Sequence, residues 1–191
     1  FYCAGCPHNS STKVPKGSRA AAGIGCHFMV QWMDRNTETF SQMGGEGAMW
    51  SGCAHFTSET HQFVNLGDGT YFHSGSLAIR QSLSAGANIT YKILFNDAVA
   101  MTGGQSVDGI LTMPQLTHQL FHEGVPEIIV LADDPKTIKQ SELAKGVYLG
   151  HRDELETVMM RLREKKGLSM IVFQETWATE ERRLRKGGKV A

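Results

Sequence analysis

Long apolar runs are missing from this 191-residue chain. The longest falls far short of the roughly 20 residues that a membrane-spanning helix needs, and no stretch at its start reads as a secretory signal. Charge of one sign is missing as well, with 19 Lys and Arg against 19 Asp and Glu. That balance argues against a general nucleic-acid or membrane-surface binder. Cysteine is scarce: Cys3, Cys6, Cys26 and Cys53 are too few for a dense disulfide framework. A reducing, cytoplasmic setting is expected, where a Cys-x-x-Cys pair more often holds metal or does redox work. No nucleophile motif, internal repeat or low-complexity tract occurs.

What remains is one domain of ordinary size, long enough to bury a core. The first residue is Phe1 rather than Met, which leads us to expect a piece of a longer polypeptide. Residues 1–19 read as irregular with one short helix, 19–24 as a short buried strand, 34–47 as a polar loop and 46–53 as the start of a small helix. Strands are expected over 62–66, 90–95, 127–132 and 168–173, and helices over 71–85, 113–123 and 152–165. Gly86 and Gly124 act as helix stops. Leu155, Val158, Met159 and Leu162 mark one face of the last helix. Residues 96–111 and 133–150 read as connections. Apolar strands alternating with helices predict an α/β fold with a mainly parallel sheet and helices on both faces.

The most informative residues are Gly67-Asp68-Gly69, followed 28 residues after Asp68 by Asn96. Each polar ligand stands just past an apolar run, so both sit at carboxyl ends of neighbouring strands, where open α/β sheets bind ligands. Mg²⁺ takes hard oxygen ligands, few of them from protein when phosphate and water supply the rest. The glycines let the backbone approach phosphate oxygens, and the amides of the following helix form an anion site. Read alone, Asp68 is equally a helix cap.

Gly67-Asp68-Gly69 with Asn96 resembles the diphosphate-binding motif of thiamine diphosphate enzymes. Thr102-Gly103-Gly104-Gln105, following Asn96 to Met101, resembles the 2-oxoacid:ferredoxin oxidoreductases. Cys3-Ala4-Gly5-Cys6-Pro7-His8-Asn9, Gly23-Ile24-Gly25-Cys26-His27, residues 31–37 and residues 42–47 are similar to the indolepyruvate ferredoxin oxidoreductase family. The resemblance runs from Phe1 to about Arg183. It implies a thiamine-diphosphate-binding fold and the diphosphate domain of an enzyme that oxidatively decarboxylates arylpyruvates to aryl-acetyl-CoA, with ferredoxin as electron acceptor. Pyruvate or 2-oxoglutarate remain alternative substrates. Thiamine diphosphate carries the difficult chemistry itself, which accounts for the missing nucleophile. The resemblance implies Mg²⁺ on Asp68, Asn96 and the Ala98 carbonyl. It puts Gly25, Cys26, His27, Gly67, Gly69, Thr70, Asn96, Met101, Thr102 and Gly103 around the cofactor. The activating glutamate is expected on another domain, so this chain alone should be inactive. Partners expected are the 2-oxoacid, CoA, ferredoxin, other domains of the same polypeptide and a second copy in a homo-oligomer.

Cys3, Cys6 and Cys26 resemble three ligands of a [4Fe-4S] cluster. The fourth position of the pattern holds Trp177 rather than Cys. Three readings stay open: a cluster with a non-cysteine or missing fourth ligand, no metal, or zinc with His8 or His27 as fourth ligand. His27, His73 and Glu46 are candidates for a direct part in the chemistry, each with a plain structural alternative. Trp32 and Trp50 are candidates for an aromatic side-chain pocket or for core packing, and Arg182 to Lys189 is a basic tail. A non-catalytic Cys/His metal-binding interaction module is the reading from another class; it leaves Asp68 and Asn96 unexplained.

Overall fold

Four apolar runs dominate the middle of the chain, and in the computed structural model they lie side by side. The structure describes residues 1–96, 98–99, 105–106, 109 and 111–174, with backbone alone at 98–99 and 105–106. The strands in chain order are β1 (Ala20–Ala22), β2 (Thr37–Phe40), β3 (Gln62–Gly67), β4 (Ile89–Phe95), the short pair β5 (Ala98–Val99) and β6 (Gln105–Ser106), β7 (Ile128–Ala132), β8 (Tyr148–His151) and β9 (Leu168–Gln174). All but the β5–β6 pair join one sheet in the order β2-β1-β3-β4-β9-β7-β8. Every neighbouring pair in it is parallel.

Parallel strands need covering on both faces, and two clusters of side chains do this. Val64, Leu66, Tyr91, Ile93, Val130 and Val172 project to one face. There they meet Trp50 of α2 (Ala48–Cys53), Ile79 of α4 (Ser76–Ser84) and Leu116 and Leu120 of α5 (Met113–His122). Phe63, Leu94, Ile129, Leu131, Ile171 and Phe173 project to the other. Leu155, Val158, Met159 and Leu162 of α6 (Leu155–Leu162) cover them, as the three- and four-residue spacing predicts. The amino-terminal segment covers the rest of that second face. It carries α1 (His8–Ser11), and Tyr2 and Cys6 pack against Ala22 and Val30.

Three elements differ from the sequence-based expectation. β2 lies inside the predicted loop 34–47: Thr-Glu-Thr-Phe is mostly polar because an edge strand buries only Thr37. β8 lies inside the predicted connection 133–150, again at an edge. The helix after β3 begins at once, at α3 (Asp68–Thr70), passes through a π-helical turn at Tyr71–Gly75 and continues as α4. π turns of this kind occur often at functional sites.

Candidate cofactor-binding site

β1, β3 and β4 are neighbours, so whatever follows their carboxyl ends converges. The segments concerned are 23–27 after β1, the Gly67-Asp68-Gly69 turn after β3, and Asn96 after β4. The register sets Gly67 opposite Leu94, which brings Asp68 beside the last residues of β4. The Asp68 carboxylate spans the gap: Oδ1 accepts from the Gly69 amide at 2.8 Å and Oδ2 from the Asn96 amide at 2.8 Å. Both residues predicted as metal ligands are therefore brought together, with the carboxylate fixed in orientation by two backbone donors. Gly67 and Gly69 flank it, and Thr70 is buried at the foot of the helix. Ala98 starts the short antiparallel pairing with Ser106. Met101, Thr102 and Gly103, and also Trp177 and the basic tail, lie outside the described residues.

Two buried ionisable side chains flank the end of β1. Glu46 is 1% exposed. Its Oε2 accepts from the Gly44 amide at 2.6 Å, while Oε1 has no partner among the described residues. Burial pushes its carboxyl above the ordinary range, opposed by the backbone amides of Glu46, Gly44 and Ile24. Its loop is fastened from below: the Tyr91 hydroxyl donates to the Glu46 carbonyl at 2.8 Å and lies 2.9 Å from Ser82 Oγ. A β-carbon on Gly44 would strike Ser74 of the π turn, so this loop sits directly against the start of the long helix.

His27 is buried on the other side, with its Nε2 unpartnered among the described residues. Burial, then His8 and Lys92, lower its pKa to about 3, so the imidazole is neutral. The ring is wedged against glycines: a β-carbon on Gly23 would lie 2.6 Å from Nε2, and one on Gly25 2.8 Å from Cε1. These glycines are there for clearance. His73, in contrast, is exposed on the π turn and bonds Ser74 Oγ at 2.7 Å. Trp50 is core, with its indole N–H donating to the Asn88 carbonyl at 2.9 Å, whereas Trp32 is 72% exposed.

Three of the four cysteines lie near the same end of the sheet. Cys6 is buried against Ala22, Cys26 is half-buried at the start of the 3₁₀ turn Cys26–Trp32, and Cys3 is exposed. Burial raises the Cys26 thiol, and the neighbouring Cys3 raises it further. Among the described residues, no three His, Cys, Asp or Glu side chains are grouped closely enough to hold a metal ion.

Sequence reasoning missed two residues here. Asn65 and Lys92 are paired across β3 and β4 and both are fully buried. Neither side-chain amide atom of Asn65 has a partner among the described residues. Lys92 Nζ donates to the carbonyls of Ser11 at 2.7 Å and Lys13 at 3.1 Å, fastening the amino-terminal segment to the sheet. A polar residue inside an otherwise apolar strand run was the signal.

The arrangement fits a diphosphate held through a divalent cation: an oriented carboxylate, a carboxamide beside it, glycines where backbone must come close, and the start of a helix. The unpartnered Glu46 Oε1 supplies a further polar atom for an occupant of this end of the sheet.

Comparisons with known proteins bear on the diphosphate alone. Residues 23–173 match the family described as thiamine pyrophosphate enzyme, C-terminal TPP binding domain. No curated protein matches. Among solved structures, the 2-oxoglutarate:ferredoxin oxidoreductase from Magnetococcus marinus superposes with a TM-score of 0.69 at 15% identity. The match covers 92% of this chain and 64% of that one. A putative thiamin diphosphate-dependent enzyme from Mycobacterium smegmatis gives a TM-score of 0.56 at 13% identity, over 87% of this chain and 30% of that one. This chain thus spans less than two thirds of either. At these identities the likeness is one of fold, but the family match covers most of the chain and its site: the chain belongs to the thiamine pyrophosphate enzyme family, as a C-terminal TPP-binding domain.

Proposed function

We propose that this chain is the diphosphate-binding domain of a 2-oxoacid:ferredoxin oxidoreductase that acts on arylpyruvates, indolepyruvate among them. The observation that carries the reading is the Asp68 carboxylate, held by the amides of Gly69 and Asn96 at the carboxyl ends of adjacent parallel strands. In this reading Asp68, the Asn96 side-chain oxygen and the Ala98 carbonyl hold Mg²⁺. Gly67, Gly69 and Thr70 meet the phosphates, and Gly25, Cys26 and His27 border the cofactor. Met101, Thr102 and Gly103 are assigned to the cofactor by the motif alone. Thiamine diphosphate, when bound, supplies the electron sink for decarboxylation. The residues of this chain bind it, orient it and exclude water. Glu46, whose carboxyl burial pushes above the ordinary range, offers a polar side chain at the wall of the site.

Redox partners follow from the same reading: CoA takes the acyl group and ferredoxin the electrons, through the larger protein of which this domain is a part. Cys3, Cys6 and Cys26 provide three thiolates where an iron–sulfur cluster ordinarily takes four, so a cluster here would have a non-cysteine or a missing fourth ligand. Iron and acid-labile sulfide analysis of anaerobically purified protein tests that point. The substrate is tested by ferredoxin reduction in the full-length protein with thiamine diphosphate, Mg²⁺ and CoA. Indolepyruvate is expected to outperform pyruvate and 2-oxoglutarate. A preference for either of the latter overturns the arylpyruvate assignment.

A further inference from the structure

The His27 imidazole lies between two parts of the molecule that the diphosphate reading treats separately. One edge faces the turn: a β-carbon on Gly67 would stand 3.4 Å from His27 Cε1. On the other side is the amino-terminal segment, with the His8 ring edge-on at a centroid distance of 5.9 Å. The backbone of His27 is held by the same segment, because the Tyr2 hydroxyl donates to its carbonyl at 3.0 Å. The Gly23 and Gly25 backbones lie close against the ring, where a β-carbon on either would strike it. Close-packed interiors transmit such displacements, because no void absorbs them. The residue joined covalently to His27 is Cys26, one of the three cysteines at this end of the sheet. A second tie runs parallel. Lys92 holds the carbonyls of Ser11 and Lys13, and four residues further along the chain Asn96 donates to Asp68.

We propose that His27 is a positioning residue that couples the cysteine-bearing segment to the Gly67-Asp68-Gly69 turn, so that diphosphate occupancy of the turn is read out in the reactivity of Cys26. The inference rests on the diphosphate reading. The link is steric: Nε2 makes no hydrogen bond, so the ring acts through its bulk and its fixed backbone. Coupling between bound states is reciprocal, so an adduct on Cys26 is expected to weaken thiamine diphosphate binding in turn.

The test is site-resolved alkylation with iodoacetamide, read by mass spectrometry, on the whole chain with and without saturating thiamine diphosphate and Mg²⁺. Binding is measured calorimetrically in the same samples. Alkylation of Cys26 is expected to slow about fivefold or more on binding, the lower end of ordinary coupling. Cys53, exposed at the end of α2, serves as the internal control and should not change. His27→Gln keeps most of the side-chain bulk and should keep the effect. His27→Ala, compared at ligand concentrations that saturate it, should lose the protection. Tyr2→Phe, which removes one hydrogen bond and is expected to fold, should at least halve it, and carries the test if His27→Ala does not fold. Equal protection in wild type, His27→Ala and Tyr2→Phe would mean direct shielding by the ligand and overturns the coupling. Binding without any change at Cys26 overturns it too and leaves the diphosphate reading standing. Absence of binding heat removes that reading and the coupling with it.

Discussion

Gly47 sits where a side chain has no room, and replacing it by alanine is the sharpest test of how the Glu46 loop is fixed. Its φ of +81° lies in the left-handed region, which costs an L-residue roughly 1–2 kcal/mol. A β-carbon there would also stand 2.6 Å from Tyr91 Cζ and closer still to the hydroxyl. Tyr91 is fully buried and cannot swing aside without losing its bonds to the Glu46 carbonyl and Ser82 Oγ. Two such bonds are worth about 1 kcal/mol each. Together these terms predict that Gly47→Ala loses about 3–4 kcal/mol, a large share of the roughly 5–15 kcal/mol that holds a domain folded. Urea unfolding should show the midpoint falling with an unchanged slope. Gly52 is the matched control: it lies exposed in α2, with nothing within 4 Å of its would-be β-carbon. Gly52→Ala should stabilise the protein by about 0.5–1 kcal/mol. A loss under about 1 kcal/mol for Gly47→Ala, within the ordinary range for an unremarkable substitution, refutes the packing account of this loop.

Three further outcomes follow from buried polar groups. Burial, then Arg163, lowers the His61 pKa to about 4 from 6.5. The unfolded chain takes up a proton below pH 6.5 that the folded chain refuses, so stability is lost as pH falls from there toward 4, by about 2 kcal/mol at pH 5. His61→Gln should flatten the stability curve in that window, and parallel curves would contradict the assignment. For Glu46 the sign is opposite. Its raised carboxyl favours folding most below its unfolded value of 4.5, and that advantage is lost as pH rises. Glu46→Gln should therefore gain on wild type between pH 4 and pH 8 in thermal unfolding, and a variant that loses ground over that range rules out the burial argument. Asn65 has two buried amide atoms with no partner, so Asn65→Leu should stabilise by about 1–3 kcal/mol. A loss of that size in denaturant unfolding would show that the amide is satisfied in solution.

The middle of the sheet was legible in the sequence because β3, β4, β7 and β9 are nearly continuous apolar runs, which only a sheet covered on both faces uses up. The edges were not. β2 and β8 pair on one side only, so their residues need not be apolar, and their short runs look like loop. The Asp68–Asn96 relation was visible as spacing, since one strand–helix–strand unit separates two carboxyl ends. Depth was not visible. Glu46, His27 and Lys92 carry polar side chains that composition assigns to the surface, yet glycine clearance and neighbouring carbonyls let them be buried. The start of the helix was misplaced by three residues because Gly67-Asp68-Gly69 reads as a turn, whereas Asp68 and Gly69 already form the helix's first turn.

Calorimetric titration with thiamine diphosphate, with and without Mg²⁺, on this chain and on Asp68→Ala, tests the central claim most directly. Asp68 is predicted to hold the metal that holds the diphosphate, so wild type should give binding heat only with Mg²⁺ and Asp68→Ala should give none. Equal binding by Asp68→Ala, or binding indifferent to Mg²⁺, would contradict the account.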